Sequence, residues 1–476
     1  MRALVVASLA LHVAVGARAQ IPDTPAGRQL TAWLAAFNNP DGQALRHFLE
    51  VNAPDRLPQI ERAFDLRART GGFEFKKVDE SAPTRLAVLA QERASDQLVR
   101  IAIEVDSAEP HRITSLSLGP APRPADLAIQ RLSESALLAK LRSKLEQDAA
   151  ADRFAGAVLI AKDGKMAFDA AYGLADREKR IPNTLDTRFR LGSMNKMFTA
   201  VAVLQLVQAG RIALDSSLAT YLPDYPNRDA ASRVTIHHLL THTGGTGDFF
   251  GPEYAAHRLE LRSLHDYVTR FGTRDLAFPP GSKWEYSNFG FILLGAVIEK
   301  VSGTTYYEYV ASHVYAPAGM SSTGSDPEDS VVANRAVGYT KAAGSSGWQS
   351  NAETLPYRGT SAGGGYSTVG DLLRFATALR EHKLLNPHFT ELLTTGKVAA
   401  AMGRYAYGFS DRTIGGMRFV GHGGGAPGMN GDLEIDPQSG YVVAVLSNLD
   451  PPAATRISEF IANRLPFAAA GRSPSP

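Results

Sequence analysis

Cysteine is absent from the 476-residue sequence, which excludes disulfide bonds and thiol chemistry. An excess of charge of one sign is also lacking. The 50 lysines and arginines oppose 48 aspartates and glutamates, which leaves a formal net charge of +2, and no basic run indicates a nucleic-acid partner. No apolar run reaches the ~20 residues that a membrane-spanning helix needs. At roughly 150 residues per domain, the length allows two or three domains.

The first residues of the chain, 1–19, have the pattern of a signal peptide. Arg2 precedes an apolar run at 3–15, and Ala17-Arg18-Ala19 forms a small-x-small cleavage site. The apolar run is shorter than a retained membrane anchor requires. We therefore expect an exported protein, periplasmic or secreted, that keeps no stable membrane span after cleavage.

A small α+β domain is predicted at 20–118. One helical face collects Leu30, Trp33, Leu34 and Phe37. Strand-like runs follow at 73–78, 85–92, 98–105 and 112–118. Helices followed by antiparallel strands indicate an α+β fold, and this arrangement resembles the nuclear-transport-factor-2-like domains. A proline-rich linker is predicted at 119–132.

A larger domain is predicted at 133–467, followed by a disordered tail at 468–476. It begins with an amphipathic helix, and Asp163-Gly164 marks a hairpin turn between the strands 156–162 and 165–172. Near the other end of the domain, further strands are predicted at 417–420, 431–436 and 441–447, before a last helix at 454–465. Strands at both ends of one domain predict a single sheet assembled from the two ends.

Between those ends, Ser193 opens an apolar helix that stops near Gly210. Its apolar residues recur at i, i+3, i+4 and i+7, which predicts a helix buried along one face with Ser193 and Lys196 one turn apart on the same side. A serine hydroxyl needs a base to become a nucleophile. A desolvated lysine near a helix start has a lowered pKa and suits that task. The alternative is a helix-capping serine beside a solvated lysine.

Two other segments carry candidate groups. Tyr286-Ser-Asn288 follows a proline-rich turn and precedes a buried helix, and a glycine run that starts at His422 leaves a strand. In this order, Ser193-Met-Asn-Lys196, Tyr286-Ser-Asn288 and His422-Gly423-Gly424 resemble the motifs of the penicillin-recognising serine hydrolases. The branch that the motifs resemble most contains the class C β-lactamases, serine D-Ala-D-Ala carboxypeptidases, D-aminopeptidases and β-lactamase-like esterases.

This resemblance implies an α/β fold of the α+β sandwich type, in which an antiparallel sheet is flanked by helices and accompanied by an all-helical region. It implies that Ser193 forms an acyl-enzyme, that Lys196 and Tyr286 share the proton transfers, and that Asn288 positions Lys196 and the substrate amide. The implied oxyanion donors are the amides of Ser193 and Gly425. Which of Lys196 and Tyr286 is the base stays open, because the two groups titrate as a coupled pair. No cofactor and no metal is expected.

The third motif departs from the β-lactamase pattern, because His422 replaces a lysine and Gly423 a threonine. That lysine and threonine help to grip substrate carboxylates, so their loss argues against efficient β-lactam hydrolysis. An unperturbed histidine has a pKa of about 6.5, so we also expect attraction for anionic substrates to strengthen on acidification. A histidine at this place is more similar to the D-aminopeptidase, carboxypeptidase and esterase branches.

Three patterns compete with this site. Gly359-Thr-Ser361-Ala-Gly363 fits a nucleophile elbow, but its approach is typical of a loop and not of a strand. His238 and His242 are spaced like zinc ligands, yet no glutamate lies between them and no third ligand is evident. His242-Thr-Gly-Gly245 imitates the third motif but lies between the first and second motifs. We expect structural histidines here and no elbow.

The sequence thus predicts a metal-independent acyl-serine hydrolase that acts on a small-molecule ester, amide or peptide substrate. The enzymatic rival is a cell-wall D-Ala-D-Ala carboxypeptidase or D-aminopeptidase. The alternative of another class is a non-catalytic binding or scaffold protein that kept the cleft. The presence of Ser193, Lys196 and Tyr286 together argues against a loss of the chemistry.

Overall fold

The structure of the chain is a computed structural model that describes residues 20–341, 347–400 and 403–467. These residues form two compact units that divide between Leu127 and Ala128, inside the stretch interpreted as a linker. The predicted signal peptide (1–19) and the predicted tail (468–476) lie outside the described residues. Among the residues that are described, no helix combines the length and the apolarity needed to cross a bilayer.

The first unit packs helices against a four-stranded antiparallel sheet whose strands pair in chain order. Its elements are α1 (Pro25–Asn38), α2 (Gly42–Asn52), α3 (Ile60–Thr70), β1 (Phe73–Ser81), β2 (Arg85–Glu92), β3 (Leu98–Val105) and β4 (Ile113–Ala121). Val99 and Ile101 of β3 join Trp33 and Phe37 of α1 in one core. The α+β arrangement is confirmed, while the resemblance to nuclear-transport-factor-2-like domains stays a prediction.

The predicted linker begins too early, because β4 continues through Ala121. Pro120 lies opposite Val99 in the β3–β4 pair. β4 is an edge strand of the sheet, and an edge strand accommodates a proline, whose missing N–H would break the ladder inside a sheet. Residues 119–121 are therefore strand. α3 was not predicted from the sequence.

The second unit contains one large sheet, several two-stranded pairs and many helices. Its strands are β5 (Gly156–Lys162), β6 (Lys165–Tyr172), β7 (Leu174–Asp176), β8 (Ile181–Pro182), β9 (Phe189–Arg190), β10 (Tyr339–Thr340), β11 (Gln349–Ser350), β12 (Tyr366–Ser367), β13 (Val398–Ala400), β14 (Gly403–Tyr405), β15 (Ser410–Ile414), β16 (Met417–Ala426), β17 (Met429–Ile435) and β18 (Tyr441–Ser447). Its helices are α4 (Glu134–Ala150), α5 (Asn195–Gln208), α6 (Leu218–Tyr221), α7 (Arg228–Arg233), α8 (Ile236–Leu240), α9 (Pro252–His257), α10 (Leu264–Phe271), α11 (Asn288–Ser302), α12 (Tyr306–Val310), α13 (Ala316–Ala318), α14 (Val369–Arg380), α15 (Pro387–Thr394) and α16 (Ala453–Ala462).

The large sheet is antiparallel, in the order β13-β14-β15-β16-β17-β18-β5-β6, so strands from both ends of the unit lie side by side as predicted. Alternation along β5 assigns its side chains to two cores. Val158 and Ile160 pack with α4 and α16, whereas Ala157 and Leu159 belong to the core that contains α5 and α14. The predicted fold, a sheet flanked by helices with an additional helical region, is confirmed.

α5 is buried on all sides and not along one face only. Every residue of 195–204 is buried, because the helix contacts β16 as well as α11, α12 and α15. Ser193 precedes this helix, in the 3₁₀ turn Gly192–Met194. The helix ends before Gly210, whose φ of +69° suits the predicted stop.

The glycine run that was expected to leave a strand remains inside β16. Gly423, Gly424 and Gly425 pair with residues of β17. A Cβ on Gly424 would lie 1.8 Å from the carbonyl oxygen of Leu191. Glycine is therefore needed where β16 passes the turn that carries Ser193.

Candidate active site

Ser193 and Lys196 form the centre of the site. Ser193 is partly exposed, whereas Lys196 is fully buried. The Nζ atom of Lys196 lies 3.3 Å from Ser193 Oγ and donates to Asn288 Oδ1 at 2.7 Å and to the Ala362 carbonyl at 2.6 Å. Burial lowers the pKa of Lys196 to about 7, and the charge of Asp248 opposes that shift. A neutral amine that donates twice keeps its lone pair, which here can take the Ser193 proton.

Tyr286 completes the group of proton-transfer residues. Its phenol neighbours the Ser193 hydroxyl, and Lys196 Nζ lies 4.7 Å from the centroid of its ring. Burial raises the pKa of Tyr286 above its ordinary value, although the interaction with Ser193 acts in the other direction. The phenol therefore keeps its proton at neutral pH. Of the two groups, Lys196 is the one whose pKa suits a base.

Asn288 connects this centre to Asp248, a residue that sequence analysis missed. Asn288 begins α11 directly after Ser287, whose hydroxyl caps the helix by accepting from Gly290 N at 2.9 Å. Asn288 Nδ2 donates to Asp248 Oδ2 at 2.7 Å, so that Oδ1 is directed to Lys196. Asp248 lies in a loop 40 residues before Asn288, and no local pattern marks it.

His422 lies on β16 with both ring nitrogens bonded inside the protein. Nδ1 contacts the Gly423 carbonyl at 2.5 Å, and Nε2 contacts the Tyr405 hydroxyl at 3.0 Å. A carbonyl only accepts, so Nδ1 carries the proton and Tyr405 donates to Nε2. Burial, aided by the charge of Lys196, lowers the pKa of His422 to about 3. The ring therefore stays neutral in the mildly acidic range, and His422 does not supply the cation on which the expected attraction for anionic substrates was based.

Position 423 faces away from the nucleophile. A Cβ on Gly423 would lie 3.3 Å from Asp432 Oδ1, and Asp432 accepts a hydrogen bond from Ser458 of α16. His422 is directed to the opposite face of the sheet, toward Tyr405. A threonine side chain at position 423 would thus begin on the α16 side of the sheet, next to Asp432.

The amides of Ser193 and Gly425 lie at neighbouring points of the turn and β16. A Cβ on Gly192 would lie 2.8 Å from Gly425 N, and one on Gly424 would lie 3.1 Å from Ser193 N. Gly192 also has a φ of +53°, a conformation that favours glycine. These glycines let the turn and the strand approach each other closely. The role of the two amides as oxyanion donors stays a prediction.

Comparison with known proteins agrees with this arrangement. Residues 141–465 match the β-lactamase family. The chain belongs to that family. It is 37% identical over 218 residues to the esterase EstB of Burkholderia gladioli, a match that covers 42% of this chain and 55% of the esterase. The chain spans about half the length of the curated relatives it matches.

Solved structures of the β-lactamase family and its relatives have the same fold. A penicillin-binding protein from Bacillus halodurans superposes with a TM-score of 0.60 at 35% identity, over 68% of this chain and 97% of that one. A D-stereospecific amidohydrolase from Streptomyces sp. superposes with a TM-score of 0.57 at 27% identity, over 68% and 97%. Membership among the penicillin-recognising serine hydrolases is confirmed.

The histidines and the serine of the competing patterns have structural roles, and two of these patterns contact the site. His238 and His242 each accept a backbone N–H bond at Nδ1, from Thr235 at 3.2 Å and from Ser287 at 3.1 Å. Ser361 is buried in a loop with no strand before it, and the next residue, Ala362, supplies the carbonyl that binds Lys196. A backbone acceptor leaves no signature in the sequence, so this contribution could not be predicted.

Proposed function

We propose that this β-lactamase-related serine hydrolase is exported and cleaves small uncharged esters through an acyl-enzyme on Ser193. The observation that carries the proposal is the arrangement around Lys196 Nζ, with two short donated bonds and Ser193 Oγ at 3.3 Å. A base works best when its pKa lies near the operating pH, because it is then both available and sufficiently basic. The Lys196 pKa of about 7 meets this condition.

In the proposed reaction, Ser193 Oγ attacks the ester carbonyl carbon while its proton passes to Lys196. The N–H groups of Ser193 and Gly425 bind the oxyanion that forms. The Tyr286 hydroxyl then passes a proton to the leaving alkoxide and is reprotonated from Lys196. Water then attacks the acyl-enzyme and gives up a proton to Lys196. A proton passes from Lys196 through Tyr286 to Ser193 Oγ as the acyl C–O bond breaks, which releases the acid and restores the Ser193 hydroxyl.

The preference for uncharged esters follows from the charges around Ser193. His422 is neutral, with a pKa of about 3, so the third motif offers a substrate carboxylate no cation. The Asp248 carboxylate, bonded to Asn288, adds negative charge near the base. Esters also have better leaving groups than amides, so their cleavage depends less on proton transfer from Tyr286 to the leaving group. The similarity to an esterase, EstB, supports the same substrate class.

The test of catalysis is labelling of the purified protein with a fluorophosphonate probe, beside Ser193→Ala. We expect labelling of the native protein only, and kcat/KM for p-nitrophenyl butyrate at least about tenfold above that for nitrocefin or a D-alanyl-D-alanine peptide. A higher kcat/KM for the D-alanyl-D-alanine peptide than for the ester would favour the alternative function as a carboxypeptidase. An unlabelled native protein would favour the non-catalytic scaffold.

Export is tested separately. It predicts a mature N-terminus at Gln20, which mass spectrometry of the secreted or periplasmic protein would measure.

A further inference from the structure

His242 is a buried histidine that the reaction above does not use. It follows α8, is 1% exposed and has a backbone φ of +59°. Residues other than glycine rarely occupy this left-handed region. The surrounding contacts therefore hold His242 in a conformation that its own backbone does not favour.

Three contacts join His242 to the segment that carries Tyr286. Glu285 N donates to the His242 carbonyl at 3.0 Å, and Ser287 N donates to His242 Nδ1 at 3.1 Å. The rings of His242 and Tyr286 lie 4.3 Å apart, centroid to centroid, with 38° between their planes. Glu285 and Ser287, on either side of Tyr286, are thus both bonded to His242, and the Tyr286 ring packs against the His242 ring.

These bonds also define the chemical state of His242. Because Nδ1 accepts from Ser287, Nε2 carries the proton. Nε2 is buried without a hydrogen-bond partner in the described part of the chain, and the ring is enclosed by Trp284, Phe291 and Tyr405. Burial, aided by the charge of Lys196, holds the pKa of His242 well below its ordinary value. A neutral ring with no free lone pair does not transfer protons, so its effect is on geometry.

We propose that His242 is a positioning residue for Tyr286. It holds the Tyr286 phenol on Ser193 by binding the backbone on both sides of Tyr286 and by packing against its ring. The inference rests on the proposed function, because it assigns His242 a part in the same reaction. Since His242 is buried and contacts Tyr286, its loss is expected to lower kcat for p-nitrophenyl butyrate and to change KM by less than about threefold.

The decisive experiment is a double-mutant cycle of His242→Asn and Tyr286→Phe, read as kcat for p-nitrophenyl butyrate, because release of Ser193 Oγ from the acyl-enzyme needs the Tyr286 proton. Asparagine offers a side-chain acceptor and tolerates a positive φ, but it lacks the ring. We expect His242→Asn to lower kcat at least about tenfold, and by less than about threefold when Tyr286→Phe is already present. Equal losses in the two backgrounds, or a native rate in His242→Asn, would overturn the inference.

Two controls keep the outcome unambiguous. His238→Asn changes a histidine of the same region that also accepts a backbone bond at Nδ1 but has no part in the Tyr286 contacts. We expect its kcat for p-nitrophenyl butyrate to stay within about threefold of native. Comparable slowing in His238→Asn would also contradict the inference. If His242→Asn fails to fold in a thermal melt, His242→Phe takes its place in the cycle. An unlabelled native Ser193 would instead refute the proposed function.

Discussion

Asn288 donates a hydrogen bond from Nδ2 to the carboxylate of Asp248 at 2.7 Å. A carboxylate only accepts, so this bond determines which way the amide faces and leaves Oδ1 for Lys196, also at 2.7 Å. An acidic loop residue is thereby connected to the base through a single side chain. The connection has both a geometric and an electrostatic consequence for the reaction.

Asp248→Asn is expected to shift the pH dependence of ester hydrolysis to lower pH. The charge of Asp248 raises the pKa of Lys196, so its removal lowers that pKa and the free base persists in more acidic solution. We expect the inflection of kcat/KM against pH to move down by roughly half a unit. Asp229→Asn, on the exposed side of α7, serves as the control. An inflection that stays in place or moves up would contradict this role for Asp248.

The native enzyme is expected to gain activity as the pH rises through about 7, the pKa to which burial lowers Lys196. Below this pH the amine is protonated and cannot accept the Ser193 proton, whereas above it the free base predominates. The measurement is kcat/KM for p-nitrophenyl butyrate from about pH 5.5 to pH 9. Lys196→Arg, which remains a cation throughout, is expected to lose on the order of 10²–10⁴ in rate. A native profile that is flat between about pH 6 and pH 8 would exclude Lys196 as the base.

Tyr286→Phe is expected to lower kcat on the order of 10²–10⁴, because in the proposed reaction the hydroxyl beside Ser193 relays the proton to the leaving group. Tyr405→Phe is the matched control. It removes a buried hydroxyl that donates to His422 and not to Ser193, and we expect a loss below about tenfold. Similar losses in the two variants would mean that the effect of Tyr286 is structural.

The preference between anionic and uncharged substrates is expected to be independent of pH in the mildly acidic range. His422 has a pKa of about 3, so it acquires no charge between about pH 6 and pH 8. Protonation of Lys196 affects both substrates and cancels in a ratio. The ratio of kcat/KM for nitrocefin to that for p-nitrophenyl butyrate should change by less than about threefold. A tenfold rise on acidification would show that a histidine cation does bind the carboxylate.

Local signals account for the parts of this molecule that could be predicted. The strands β2, β3, β5, β6 and β18 have their expected bounds, because alternation and the Asp163-Gly164 turn act over a few residues. β16 was predicted too short, since glycine ordinarily weakens a strand. Glycine is needed at position 424 because the Leu191 carbonyl, in the segment before Ser193, lies too close for a side chain there. That contact is not visible in the local sequence of β16.

The contacts that support the nucleophile could not be found in the same way. Lys196 binds the carbonyl of Ala362, 166 residues further along the chain, and Asp248 meets Asn288 across 40 residues. Both contacts involve loops without periodicity, and one involves only backbone. His422 was identified from its motif, but the burial that neutralises its ring depends on how Tyr405 and its neighbours pack around it.

The pairing of β5 with β18 also determines when the sheet can form during synthesis. A ribosome releases the β5–β6 hairpin early, and the strand that covers the other edge of β5 emerges only after the entire helical region. Until then the hairpin has an open edge and half of its core is missing. The sheet can therefore close only when the polypeptide is nearly complete, because β18 is the strand that joins β5 to the rest of it.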